Sequence, residues 1–232
     1  MHLEGVGEAG QKRLAASSVL VVGLGGLGCA SAPWLARAGV GRMILVDPGV
    51  VDEPDLGRQL LYTSSDLGVQ KANAAKHALS AMNPEIEVEP LPLALTQENI
   101  AIIAKKIDLI IDGTDEIPPR LAMNSYSVAS GKPVIFGGAV GWAGMVLTVA
   151  PALPCRECVF ADSPASAVCS EAGVLGPVVG WVGAIQAAEA LRILLGRGPS
   201  GQGSLQTCDM LHSTQRRIKV RRNPDCPVCG SG

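Results

Sequence analysis

Residues 18–28 read Ser-Val-Leu-Val-Val-Gly-Leu-Gly-Gly-Leu-Gly. Four consecutive apolar residues, Val19 to Val22, predict a buried strand, and Gly23, Gly25 and Gly28 place G-x-G-x-x-G at its end. Each glycine has its own reason in such a turn. The first permits a tight reversal, the second lets backbone approach a phosphate, and the third lets the following helix pack close to the strand. That helix, predicted over Gly26 to Ala38, aims its free N–H groups at an anion. A second strand, Met43 to Val46, ends in Asp47, 19 residues after Gly28, where a nucleotide ribose needs an acceptor. A strand-end cap is the plainer role for that aspartate. Strand, glycine turn, helix and strand in this order define a βαβ unit and hence a parallel sheet.

A chain of 232 residues is long enough to bury a full core as one α/β domain. Its net charge of −2 gives no general pull on nucleic acid or membranes, so an anion site must be local. Aromatics make up 3% of the residues, so the core must be aliphatic and base-stacking platforms are few. Direct nucleic-acid binding is not expected. Glu4, Glu8, Lys12 and Arg13 interrupt the first twenty residues, which predicts neither a signal peptide nor a transit sequence and favours the cytoplasm. The apolar run Val174 to Leu195 contains Pro177, Gln186, Glu189 and Arg192 and predicts a buried helix, not a membrane span.

Helical spacing continues over Glu8 to Ala16, Val69 to Met82, Thr96 to Lys105 and Pro119 to Ser130, with strands at Ile86 to Glu89, Ile107 to Ile111 and Pro133 to Phe136. The strand Met145 to Val149 follows without a helix between, and Leu205 to Thr207 and Arg216 to Val220 form a closing pair. A Rossmann-like α/β fold with a mixed, largely parallel sheet is therefore expected, as a single domain over 1–232. Two polar stretches stand at predicted strand ends: the long segment Pro48 to Asp66 with Arg58-Gln59, and the turn Asp112-Gly113-Thr114-Asp115. In a doubly wound sheet Arg58, Lys71, Asp115 and Arg120 converge on one crevice, although each by itself is as well explained as a solvated surface charge.

Seven cysteines in such a chain are better read as ligands or nucleophiles than as disulfide partners. Cys155-Arg156-Glu157-Cys158 and Cys226-Pro227-Val228-Cys229 are two C-x-x-C knuckles separated by 67 residues. Together they supply four thiolates for a closed, structural Zn²⁺ site, forming a C-terminal zinc-knuckle extension. A redox pair is the rival reading, and neither knuckle is expected at a helix start, where a thiolate is activated. Cys169 stands alone among small and polar residues before the long helix, as either a reactive thiol or a plain loop residue. Cys29 and Cys208 fall in a predicted helix and strand and belong to the core.

These stretches together resemble the MoeB/ThiF/HesA family of adenylyltransferases. The resemblance rests on VLVVGLGGLG, the Asp47 strand, LGRQLLYTSSDLGVQKA, IDLIIDGTD, GKPVIFGGAVG, the two knuckles and, most specifically, CSEAGVLGPVVGWVGAIQAAEALRILLG. It implies ATP-dependent adenylation of the C-terminal Gly-Gly of a ubiquitin-like sulfur-carrier protein by a homodimer. By position it makes Gly23, Gly25 and Gly26 the phosphate turn and Asp47 the ribose acid. Arg58 and Lys71 become the cations on the triphosphate, Asp115 the Mg²⁺ acid, and Cys169 a thiol for the activated carrier. Pro54-Asp55-Leu56 stands where Ser-Asn-Leu is usual, Glu116 where asparagine is common and Met145 where glutamine is common. The family's usual Arg-Tyr-x-Arg-Gln segment, whose arginine reaches a partner's site, is not found before the first predicted helix. Extra acid beside a triphosphate opposes its binding unless a metal offsets it. The alternative is therefore a non-catalytic or regulatory carrier-binding homologue. A nicotinamide dehydrogenase would share the glycine turn and Asp47 but leaves the cysteine pairs without a purpose.

Overall fold

Eight strands form one sheet in the order β3-β2-β1-β4-β5-β6-β7-β8 in the computed structural model, which describes residues 6–160, 173–200 and 203–230. β1 (Ser18–Val22), β2 (Arg42–Val46), β3 (Glu87–Leu91), β4 (Leu109–Asp112) and β5 (Val134–Val140) are parallel. β6 (Ala143–Val149), β7 (Ser204–Asp209) and β8 (Thr214–Lys219) continue the sheet antiparallel. The mixed Rossmann-like sheet expected from the sequence is thus the one found.

Successive strand residues point to opposite faces, and both faces are covered. Val19, Val21, Met43, Leu45, Leu109 and Ile111 pack under α1 (Gly7–Ala15), α2 (Gly26–Ala38), α3 (Lys71–Met82) and the last long helix (Gly176–Leu194). Leu20, Val22, Ile44, Val46 and Ile110 pack on the other face. There they meet α4 (Ile100–Ile103), α5 (Ile117–Ser130), the segment containing α6 (Glu157–Phe160), and three of the knuckle cysteines. The last helix, α7, is long and apolar enough to cross a membrane, yet in the fold it lies on the sheet and against α2.

Two departures from the expected elements have local causes. The helix expected over Thr96 to Lys105 is regular only over α4, after a turn in which Thr96 and Asn99 cap each other. Asn99 Oδ1 accepts the Thr96 N–H at 2.8 Å and Thr96 Oγ1 accepts the Glu98 N–H at 3.3 Å. β5 runs four residues beyond Phe136, since β6 goes on pairing with it after the parallel partner β4 has ended.

The chain leaves β1 for β2 on one side, and β4 returns on the other, so the switch in winding lies between β1 and β4. The turns that follow these two strands touch through backbone. A Cβ added to Gly23, whose φ is +83°, would stand 2.7 Å from the Gly113 carbonyl carbon. One added to Gly28 would stand 2.0 Å from the Gly23 carbonyl oxygen. Neither obstacle is a side chain that can swing away. Gly28→Ala is expected to destabilise the chain by about 3 kcal/mol or more, read as a lowered urea midpoint; an unchanged midpoint would refute this close approach.

Candidate functional site

The glycine turn is held from below by side chains. Asp47 Oδ2 accepts the Leu24 N–H at 2.6 Å while its Oδ1 accepts the Gly49 N–H at 2.7 Å. Tyr62 donates its hydroxyl to the Leu24 carbonyl at 2.9 Å, with the Lys71 carbonyl at 3.3 Å beside it. The Cys29 thiol reaches the same Leu24 carbonyl, and burial pushes it up to about 12, which suits a core residue and not a nucleophile. Asp47 therefore caps its strand end, and each of its oxygens keeps acceptor capacity for a further donor.

The glycines of the turn differ in what they face. At Gly25 a Cβ would meet no clash, only Gln59 Nε2 in van der Waals contact at 3.9 Å. No side chain caps α2 at this residue, so the first N–H groups of the helix are left to a ligand or solvent. Gly26 has a packing reason as well: its Cβ would lie 2.6 Å from Val179 Cγ1 on α7.

The segment after β2 folds over this turn as two short 3-10 turns, Glu53–Gly57 and Ser64–Asp66. Asp52 caps the first of them, and Asp55 reaches back to accept the Asp52 N–H at 3.1 Å. The same Asp55 carboxylate gathers the surrounding polar side chains. Lys71 Nζ lies 2.9 Å from Oδ2, while Gln59 Nε2 donates to Oδ1 at 2.5 Å and Arg58 Nη2 lies 3.6 Å from it. Gln59 is 2% exposed, and its Oε1 has no partner among the described residues. Gly25, Gln59, Asp55, Lys71 and Arg58 thus form one contiguous polar patch beside the open face of the glycine turn.

The second turn, after β4, carries Asp115, which is exposed. It is shaped by Asp112, whose Oδ1 accepts both the N–H and the hydroxyl of Thr114 at 2.9 and 2.7 Å. Burial raises the Asp112 carboxyl above the usual range, against the pull of Arg120, whose Nε lies 3.0 Å from Oδ2. Arg120 also donates to the carbonyls of Thr114 and of Gly137, the latter at 2.8 Å. It is therefore a tether for the Asp115 turn and not a cation of the crevice, a correction to the grouping expected from sequence. Gln186 of α7 completes the tether, donating to the Asp112 carbonyl at 2.7 Å and the Ile135 carbonyl at 3.0 Å.

Gly23, Gly25, Gly26, Asp47, Arg58 and Lys71 are accordingly neighbours, and Asp115 sits on the turn whose backbone meets theirs. Cys169 lies outside the described residues. Asp55 was marked in the sequence only as an extra acid beside the expected triphosphate, and Tyr62 gave no signal, because their partners depend on which segments fold against each other. The adjacency Arg58-Gln59 did mark the segment, without saying that Gln59 points inward.

The four knuckle cysteines come together on the other face of the sheet. Their sulfurs lie within 4.8 Å of one another, with Cys155–Cys226 at 3.5 Å, Cys158–Cys229 at 3.3 Å and Cys155–Cys158 at 3.9 Å. A tetrahedral Zn²⁺ with bonds near 2.3 Å needs S–S edges of about 3.8 Å. Contrary to expectation, the first knuckle does run into a helix start, at α6. The convergence of all four sulfurs still favours a metal over a redox pair. Burial opposes ionisation of Cys226, but N–H groups of Cys229 and Val228 outweigh it and bring that thiol down to about 7. Burial pushes Cys155 up to about 12. The Asn223 N–H points at Cys158 Sγ at 3.4 Å, and the Arg156 N–H is accepted by Asn124 Oδ1 of α5 at 2.8 Å. The cluster is thereby tied to the body of the fold. Cys29 and Cys208 are buried, as expected.

A family model described as ThiF family matches residues 1–228. The sulfur carrier protein adenylyltransferase of Thermus thermophilus is 43% identical, over 99% of this chain and 88% of its own length. The molybdopterin-synthase adenylyltransferase of Escherichia coli is 37% identical, over 98% of this chain and 93% of its own length. Among solved structures, E. coli MccB with ATP is similar in fold, with a TM-score of 0.84 at 23% identity over 95% of this chain and 69% of that one.

Cys226→Ser is expected to lose bound zinc and to lower the melting temperature by about 10 °C, at roughly 2–4 °C per kcal/mol for a chain of this size. Full metal content by elemental analysis with an unchanged melting temperature would refute the four-sulfur site.

Proposed function

The chain belongs to the ThiF family, and from that premise we propose that it is an adenylyltransferase activating the C-terminal glycine of a ubiquitin-like sulfur-carrier protein. A carboxylate is a poor electrophile. In the proposed reaction the carrier carboxylate attacks the α-phosphate of ATP; as the new C–O–P bond forms, the bond to the β-phosphate breaks. The products are an acyl-adenylate and pyrophosphate, which leaves with the bonding electron pair. The negative charge developing on that leaving group is what cationic side chains stabilise.

The observation that carries this assignment is the meeting of Lys71 and Arg58 around one carboxylate beside the open face of Gly25. Two cations at that place suit a polyphosphate next to a helix N-terminus. We assign them to the β- and γ-phosphates, and Gly23, Gly25 and Gly26 to the phosphate turn. Asp47 has spare acceptor capacity for a ribose hydroxyl. Asp115 is our candidate Mg²⁺ ligand, an exposed carboxylate on the turn that the Asp112–Arg120 pair supports. Zinc is assigned a structural role, since four thiolates leave it no open position. Cys169 is proposed as a thiol for the activated carrier, a role that formation of the adenylate does not require.

We further propose a cytoplasmic homodimer. Its thiol cluster suits a reducing compartment, and Trp34, Leu60, Trp142 and Leu211 offer apolar surface. Light scattering at micromolar concentration is expected to give twice the chain mass, and a monomer would refute the dimer.

ATP–pyrophosphate exchange with a carrier ending in Gly-Gly tests the chemistry. Exchange is expected to need the carrier, to vanish with Asp115→Ala, and to fall by about 100-fold or more with Lys71→Ala. Cys169→Ser is expected to leave it unchanged. Absence of exchange with folded, zinc-loaded protein and several carriers would favour the non-catalytic reading instead.

A further inference from the structure

Asp55 has more partners than a cap needs. Completing the 3-10 turn takes one acceptor for the Asp52 N–H, and a serine or asparagine oxygen would serve. Instead a carboxylate that is 7% exposed receives Lys71 at 2.9 Å, Gln59 at 2.5 Å and Arg58 at 3.6 Å. The side chains of Lys71 and Asp55 are 15% and 10% exposed, so solvent screens this pair poorly. The charged groups here are Lys71 and Arg58 against Asp55, with Asp47 behind the glycine turn. Lys71 is paired directly with Asp55, while Arg58 donates to the Pro54 carbonyl at 3.0 Å and keeps the Asp55 carboxylate within ion-pair distance.

We propose that Asp55 is the resident counter-ion of the polyphosphate pocket, holding Lys71 and Arg58 until a polyphosphate takes them and reclaiming them as pyrophosphate leaves. The inference rests on the assignment of this pocket to the phosphates of ATP. An incoming triphosphate competes with an anion already in place, so its affinity is lower than the two cations alone would give. The same competition speeds release of pyrophosphate, whose charge is concentrated on those cations. A ligand with a single phosphate does not reach them and is indifferent to Asp55. Asp55 is thus an affinity-determining residue, and touches no reacting atom.

The test is calorimetric titration of the full chain with MgATP, pyrophosphate and AMP at low and high salt. Asp55→Asn is expected to bind MgATP and pyrophosphate about tenfold more tightly while AMP changes less than about twofold. Affinity for the polyphosphates should fall more steeply with salt than in the parent, because more unpaired positive charge is then available to be screened. In a Lys71→Ala background the gain from Asp55→Asn should largely disappear, which a purely structural role for Asp55 would not produce. Asp55→Ser keeps an oxygen for the cap and serves if the asparagine variant does not fold. Unchanged or weaker polyphosphate binding in the Asp55 variants, with Lys71→Ala still weakening MgATP, would overturn this inference alone. MgATP binding indifferent to Lys71→Ala would overturn the pocket assignment and this inference with it.

Discussion

Two backbone turns, after β1 and after β4, press against each other with no side chain between them, and the rest of the site is placed relative to that contact. Parallel strands are held about 4.8 Å apart by their hydrogen bonds, so turns leaving adjacent strands at the switch in winding are forced into the same space. Glycine at 23, 28 and 113 removes the Cβ atoms that would otherwise meet carbonyl groups there. One consequence is that α2 starts close against the sheet, with no side chain capping it at Gly25. Another is that the turn bearing Asp115 cannot move without disturbing the glycine turn. Nucleotide contacts proposed from β1, β2 and β4 are thereby brought within reach of one ligand.

Around this contact the chain uses buried charge in two ways. Asp112 and Arg120 are buried, and Arg120 reaches the Asp112 carboxylate and the carbonyls of Thr114 and Gly137, joining the turn to β5. Removing either partner would strand the other, which makes the pair a rigid brace and an unsuitable ligand site. Asp55 and Lys71 are also paired, but at the mouth of the crevice and with Arg58 partly exposed. There the pair can exchange partners with an entering anion.

The antiparallel half of the sheet and α7 serve the site at a distance. α7 lies against α2 through Gly26 and Val179 and sends Gln186 to the backbone of β4 and β5. The cysteine cluster joins the segment after β6 to the one after β8, closing the opposite face of the sheet where the hydrophobic cluster is completed by Cys155, Cys226 and Cys229. Cys155, Cys226 and Cys229 thus pack in the same layer as α5, the helix that carries Arg120.

Short-range information made much of this legible. The apolar run of β1, the glycine spacing, the acid after β2, the helix over 26–38 and the C-x-x-C pairs are all set by neighbours along the chain, because periodicity, turn conformation and ligand spacing act over a few residues. Element length was read less well: α4 is shorter than the helical spacing over 96–105 implied. The direction of Arg120, the inward turn of Gln59, the partners of Asp55 and the role of Gln186 inside an apolar helix were decided by tertiary structure alone. The Gln59–Asp55 bond spans four residues, but Lys71–Asp55, Arg120–Gly137 and Gln186–Asp112 span 16 to 74, and a side chain's charge and length do not say which buried carbonyl or carboxylate the fold will bring to it. The sequence by itself determined the sheet, the glycine turn and the thiol set; the tertiary structure decided which charges brace the turns and which face the crevice, because burying a charge is tolerable only where packing supplies its counter-charge.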